Sequence, residues 1–345
     1  MASILDMIRT NDPEIKDLRL TEAPEAYCAD IDELLDALKA NTVIEYLRVD
    51  RDFLPSMELD QIDHFFAAVA ALPALQEAQI WHGSIHVKAL ANFVEQARHI
   101  EHLQLGCLDL EGTEDDFSLI SAALQGHPTL KRFSMHDFSL NNDAIAIDNL
   151  VATLATVPNL EVVKLEVSAS RRRSIVGNEA AARKVQVHLS GKALAELCKS
   201  PTLQELHLNR LNLHFDDFAA LAVSLKTAPS LKKLSLPHCN LDDTACITIA
   251  EAIGLSPALE KIDFSCNKLT DEGCVTLASA LKGNQTVTFL RLWGNVKISN
   301  AGFDAVREML EQNCVLERVP LMSPIDYDVS AKISAKKMSA AGHAA

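Results

Sequence analysis

One short pattern recurs along the whole chain: apolar residues spaced L-x-x-L-x-L, with Ile, Val, Met, Phe or Ala replacing some leucines. Its fourth position falls at Leu18, Leu47, Ala78, Leu103, Phe133, Val163, Leu206, Leu234, Ile262, Leu290 and Val319. The steps are 29, 31, 25, 30, 30, 43, 28, 28, 28 and 29 residues, which makes eleven units with one long step. A period of this length overrides the two or three domains that 345 residues would otherwise suggest. Proline keeps the same phase. Pro13, Pro73, Pro128, Pro158, Pro201, Pro229 and Pro257 each stand two residues before the first apolar position of a unit. Proline cannot continue a helix, so these residues mark turns from helix to strand.

The second half of each unit has helical spacing. Phe218, Leu221, Ala222 and Leu225 follow i, i+3, i+4, i+7. Cys246, Ile249, Ala250, Ile253 and Cys274, Leu277, Ala278, Leu281 repeat it. Each helix therefore carries one apolar stripe toward a core. A strand, a turn and a helix cannot bury that stripe alone, so the units must stack.

The runs Leu231-x-x-Leu234-x-Leu236-x-x-Cys239-x-Leu241 and Leu259-x-x-Ile262-x-Phe264-x-x-Asn267-x-Leu269 resemble the leucine-rich repeats of the ribonuclease-inhibitor type. The resemblance covers roughly residues 1–323. It implies an α/β solenoid, a horseshoe with a parallel sheet on the concave face and helices outside. In that family an Asn or Cys after the strand bonds neighbouring turns of backbone. Cys239, Asn267 and Asn295 keep it, whereas Leu211, Phe138, Leu108, Gly83 and Ala23 replace it, so the N-terminal units are expected to be less regular.

Residues 1–12 read as a half-repeat cap over the first strand, 13–323 as the solenoid, and 324–345 as a tail, disordered from 331. The segment Asn11-Asp12-Pro13-Glu14-Ile15-Lys16-Asp17-Leu18, with Leu35-x-x-Leu38-Lys39-x-Asn41-Thr42-Val43 after it, is locally similar to the tropomodulin repeat domain. The long step contains an insertion at about 168–190 with Arg171, Arg172, Arg173, Arg183 and Lys184. Val185, Val187 and Leu189 alternate, as in a strand returning as a hairpin beside Val163–Val167. The insertion reads as a tolerated surface loop. A regulatory reading also exists: Ser174 follows the arginines at the spacing basophilic kinases favour, and phosphate there would add negative charge beside three cations.

Motifs for chemistry are missing from the sequence. It contains no GxGxxG, no GxxxxGK[ST] and no HExxH. His82, His86, His99 and His102 form the one dense histidine cluster, but a strand-to-loop turn and strand alternation should scatter them, so no metal is expected. Cys246 and Cys274 share a helix phase with Phe218 and read as core fillers, while Cys107 and Cys266 occupy sheet-surface positions. Carboxylate runs such as Asp30–Glu33 and Glu114–Asp116 read as solvated faces or helix starts. No catalytic residue and no cofactor are expected. Eight cysteines without a secretory signal suit a reducing compartment, cytoplasm or nucleus.

The concave sheet face is the expected binding surface. By strand alternation the third, fifth, seventh and eighth positions face it. Those positions carry ten Lys or Arg and eight Asp or Glu, a net of +2, in a chain of net charge −15. A partner of mixed or mildly acidic charge follows, with neither nucleic acid nor membrane as a target. Both tryptophans, Trp81 and Trp293, fall at seventh positions. Tyr46, Phe289, His82, His102, His136, His207 and His238 join them, with Arg48, Arg132, Arg210 and Arg291. Trp, Tyr and Arg dominate interface energetics. The expectation is a monomeric, non-enzymatic scaffold that binds a folded protein. Two alternatives accompany it. A GTPase activator like RanGAP has similar size and repeat number, and would take a small GTPase as partner. A tropomodulin-like protein would bind actin.

Overall fold

Apolar residues at the fourth position of successive units meet one another across the strands, and this sets the register of the sheet. The computed structural model describes residues 3–137, 144–167 and 187–320. The chain divides into two units, Met1–Val185 and Gln186–Ala345.

In the first unit, strands β1 (Asp17–Leu20), β2 (Tyr46–Val49), β3 (Glu77–His86), β4 (His102–Glu111), β5 (Arg132–His136) and β6 (Val162–Glu166) run parallel in sequence order. Their partners include Leu18↔Leu47, Leu47↔Ala78, Ala78↔Leu103, Leu103↔Phe133 and Phe133↔Val163. All six are buried. Helices α1 (Ile4–Arg9), α2 (Ile31–Ala40), α3 (Leu59–Ala70), α4 (Val87–Gln96), α5 (Glu114–Leu124) and α6 (Ala144–Leu154) alternate with the strands. Helix α1 buries Leu5 and Ile8, and Asn41 Nδ2 donates to the Ile8 carbonyl at 2.9 Å. Four of the aromatic side chains form a continuous run in this core, with Phe53–Phe65, Phe65–Phe66 and Phe66–Phe93 centroids 5.2, 5.8 and 5.6 Å apart.

The second unit repeats the plan. It contains α7 (Gly191–Cys198), β7 (Glu205–Asn209), α8 (Phe215–Leu225), β8 (Lys233–Ser235), α9 (Asp243–Leu255), β9 (Lys261–Asp263), α10 (Asp271–Leu281), β10 (Phe289–Arg291) and α11 (Asn300–Gln312). Leu206, Leu234, Ile262 and Leu290 line up across its parallel strands. The eleventh repeat contributes a bridge, Phe289↔Arg318, with Leu290 N–H bonded to the Arg318 carbonyl at 3.1 Å.

Polar side chains fasten one repeat to the next. Asn267 Oδ1 accepts from the backbone of Cys239 and Leu241 at 2.9 and 3.1 Å, and its Nδ2 donates to the Leu236 and Phe264 carbonyls. Asn295 does the same one repeat later, accepting from Asn267 and Leu269. Where the sequence lacks this residue, the backbone groups of the turn still need partners. At Gly83 and Leu108 they find them in the sheet: β3 and β4 continue for ten residues each and pair as far as His86↔Glu111. On the helix side, Asp243 accepts from Thr270 N and Gly273 N of the next repeat, and Asp271 from Ser299 N and Gly302 N. Such carboxylates satisfy the unpaired N–H groups of a helix start.

Two expectations change here. Val187 and Leu189 are not the return of a hairpin beside β6. His188 between them bridges Asn212 in parallel, and Asn212 N donates to the Val187 carbonyl at 2.8 Å. Alternation identifies an extended segment but not its partner, and here the partner is the next repeat. Likewise His82 and His86 do not straddle the end of a strand, because β3 runs through both. Residues 168–186, with Ser174 and the basic cluster, and the tail at 324–345 lie outside the described residues.

Candidate functional site

Alternation along β2 buries Leu47 and Val49 and leaves Tyr46, Arg48 and Asp50 half-buried on the opposite face. The same side of the first unit gathers most of the expected residues. The register aligns Trp81, Gly106 and His136 on three neighbouring strands. Gly106 has no side chain, so the indole of Trp81 lies across it: a Cβ on Gly106 would stand 2.2 Å from ring atom Cε3. The ring then stacks on His136, with centroids 5.5 Å apart and planes 17° apart. Trp81 is half-buried, and its Nε1 is shielded from solvent with no partner among the described residues. Three strands thus build one flat aromatic platform. Sequence reasoning missed Gly106. A glycine inside a strand pattern signals a close approach, and that was the available clue.

Charged neighbours on this face are paired. Arg48 donates to Asp50 at 2.5 Å, and His82 Nε2 stands 3.5 Å from the same carboxylate. Burial alone would raise the Asp50 carboxyl, but the hydrogen bonds from Arg48 and the Arg51 backbone outweigh it and hold it below its usual range. His102 Nδ1 lies 3.1 Å from Glu77, and His136 Nδ1 lies 3.3 Å from Glu166. Arg132 is exposed. On this unit His82, His102 and His136, expected as binding residues, thus sit beside carboxylates.

On the second unit's sheet, Glu205 meets His207 at 2.8 Å and Lys233 at 3.7 Å, and Asp263 meets Arg291 at 3.6 Å. Arg318 lies over the Phe289 ring, 5.7 Å from its centroid. Trp293 is 47% exposed, in contrast to Trp81. Arg210 and His238 are exposed neighbours, and desolvation followed by the Arg210 charge holds His238 below its usual range.

A further regularity escaped the sequence. The eighth position has a left-handed backbone at Arg51, His82, Cys107, Asp137, Arg210, His238 and Cys266, with φ between 52° and 58°. Gly294 takes the same place with φ 81°. Arg51, Asp137, Arg210, His238 and Cys266 lie past the ends of their strands, where the chain enters the loop, whereas His82 and Cys107 lie within β3 and β4. Cys107 and Cys266 are half-buried. Cys246 and Cys274 are fully buried, and burial pushes both thiols well above their usual range. His99 lies before β4, its Nε2 2.7 Å from the Leu72 carbonyl. Among the described residues no group of His, Cys, Asp or Glu is placed to hold a metal.

The in-register apolar positions and the asparagine turns define the repeat, and the family model for the leucine-rich repeat matches residues 256–278. The chain folds as leucine-rich repeats. The matched stretch is the repeat of β9, whose Asn267 makes the turn bonds described above. No curated protein sequence matches the chain. Similar solved structures include actin-binding site 2 of leiomodin-1, at 17% identity and TM-score 0.40, over 44% of this chain and 90% of that one. The tropomodulin C-terminal domain of Caenorhabditis elegans follows at 16% and 0.39, over 44% and 96%. Rad7 in its complex with Elc1 from yeast aligns at 15% and 0.45, over 91% and 77%. In leucine-rich-repeat terms, Trp81, His136 and Trp293 share the seventh position of their repeats.

Proposed function

We propose that this leucine-rich-repeat chain is a non-enzymatic scaffold of the ribonuclease-inhibitor-like type whose folded protein partner docks on its sheet faces. The observation that carries the reading is the platform of Trp81 over Gly106 and against His136. A large aromatic ring fixed before binding loses little conformational freedom on contact, which favours its use as an anchor. Paired charges around it supply polar contacts of both signs, which suits a partner of mixed or mildly acidic surface charge. The chain acts as a monomer in the cytoplasm or nucleus under this reading, with Tyr46, Arg48, Arg132 and the sheet histidines around the anchors.

Capture from source cells with the wild-type chain, and with Trp81→Ala and Trp293→Ala variants, tests it. A protein retained by the wild type and lost on Trp81→Ala supports sheet-face docking. Retention by all three baits contradicts it. Two defined assays assign the alternatives: stimulated GTP hydrolysis by a small GTPase, and co-sedimentation with actin filaments. A positive result in the first would replace the non-enzymatic reading.

A further inference from the structure

The basic residues of the sheet face are not evenly spread. Among the facing positions of the first unit, five basic residues stand against six acidic ones. In the second unit five basic residues stand against Glu205 and Asp263 alone. They are also aligned. Register pairs Glu205↔Lys233, Lys233↔Lys261, Phe289↔Lys261 and Phe289↔Arg318 form a single row across the strands. Lys233 and Lys261 are direct neighbours in that row, and like charges placed directly opposite destabilise a sheet. Glu205 lies 3.7 Å from Lys233 at one end. Lys261 and Arg318 are exposed, and Phe289 between them carries the Arg318 guanidinium over its ring. The next row places Arg291 beside Asp263, and exposed Trp293 lies two residues further along.

We infer that this row, Lys233–Lys261–Phe289–Arg318, receives an acidic, extended segment of the protein partner. The inference rests on the sheet-face reading and names the chemistry of the partner. Strand spacing of about 4.8 Å puts Lys261 and Arg318 roughly 10 Å apart. An extended segment of polyproline-II type presents the same face every third residue, about 9 Å along. Carboxylates at that spacing meet both cations, and an apolar residue between them meets Phe289. A bound carboxylate also relieves the repulsion between the two lysines. Nucleic acid would offer phosphates to the same row, but the chain's net charge of −15 repels a long polyanion.

The test is fluorescence anisotropy with a short rhodamine-labelled peptide in which glutamate recurs every third residue, with proline and phenylalanine between. Saturable binding is expected, weakened at least tenfold by Lys261→Glu/Arg318→Glu and abolished near 1 M salt, where the screening length falls to about 3 Å. The milder Lys261→Gln variant should lose affinity several-fold while keeping the melting temperature, because it removes a repulsive pair. Unchanged binding by the double variant, equal binding of a glutamine version of the peptide, or preference for single-stranded oligothymidine would each overturn the inference. If the peptide fails while the captured partner still depends on Trp81, the inference falls and sheet-face docking stands. If neither matters, both fall.

Discussion

At Gly106 an added Cβ would stand 2.2 Å and 2.3 Å from ring atoms Cε3 and Cζ3 of Trp81. Gly106→Ala must therefore push the indole off the sheet and break its stack on His136. The expected cost is about 1–3 kcal/mol, the range for overpacking a fixed site. Urea unfolding and the Trp81 emission spectrum check it, and both should change. A second residue predicts a pH dependence. His127 is 2% exposed and lines an apolar cavity with Phe93, Ile100, Leu103, Leu124 and Leu130. Its Nδ1 has no partner among the described residues, and burial, with the Arg98 charge adding, lowers its pKa to about 4. The unfolded chain binds this proton near pH 6.5 and the folded chain does not. Stability from this residue is thus complete above about pH 6.5 and falls as the pH drops toward 4, by up to about 3 kcal/mol. Denaturant titrations at pH 7.5 and 5 should show the loss, and His127→Leu should flatten it.

At the scale of the element, the strand-to-helix turn is held in two ways. Asn267 binds backbone of its own and the preceding repeat, so Asn267→Ala takes the partner from the Cys239 and Leu241 N–H groups and from the Leu236 carbonyl. A loss of roughly 2–4 kcal/mol is expected, measured by thermal or urea unfolding. A loss below about 0.5 kcal/mol would mean that water replaces the side chain freely. The repeat phase was legible because apolar spacing and proline placement both follow from burial and backbone geometry, as the Leu206–Leu234–Ile262–Leu290 register shows. Strand ends were less legible. The pattern marks where β3 begins, but its ten-residue length follows from ladder bonds that replace the missing Asn. The extended segment at Val187 and Leu189 was visible as an alternation, while its pairing partner, a non-local choice, was not. The left-handed backbone at Arg51, His82 or Cys107 was hidden because such residues seldom mark a positive φ. For the candidate site, alternation placed Trp81 and His136 on one face, but their contact depends on Gly106, whose role is only its absence of a side chain.

For the whole molecule, the central claim is that partners meet the sheet faces rather than the helices. Exposed apolar residues also occur on helices, Val223 at 71% among them, so the claim has a competitor within the same chain. The most direct measurement is the calorimetric affinity of the captured partner for three proteins: the wild type, the Trp81→Ala/Trp293→Ala double variant, and a Val223→Asp variant on α8. Interface anchors cost about 2 kcal/mol or more when truncated, close to thirtyfold in affinity. The account predicts at least that loss for the double variant and an unchanged affinity for Val223→Asp. Full affinity in the double variant together with a loss on Val223→Asp would contradict it and move the binding surface to the helices.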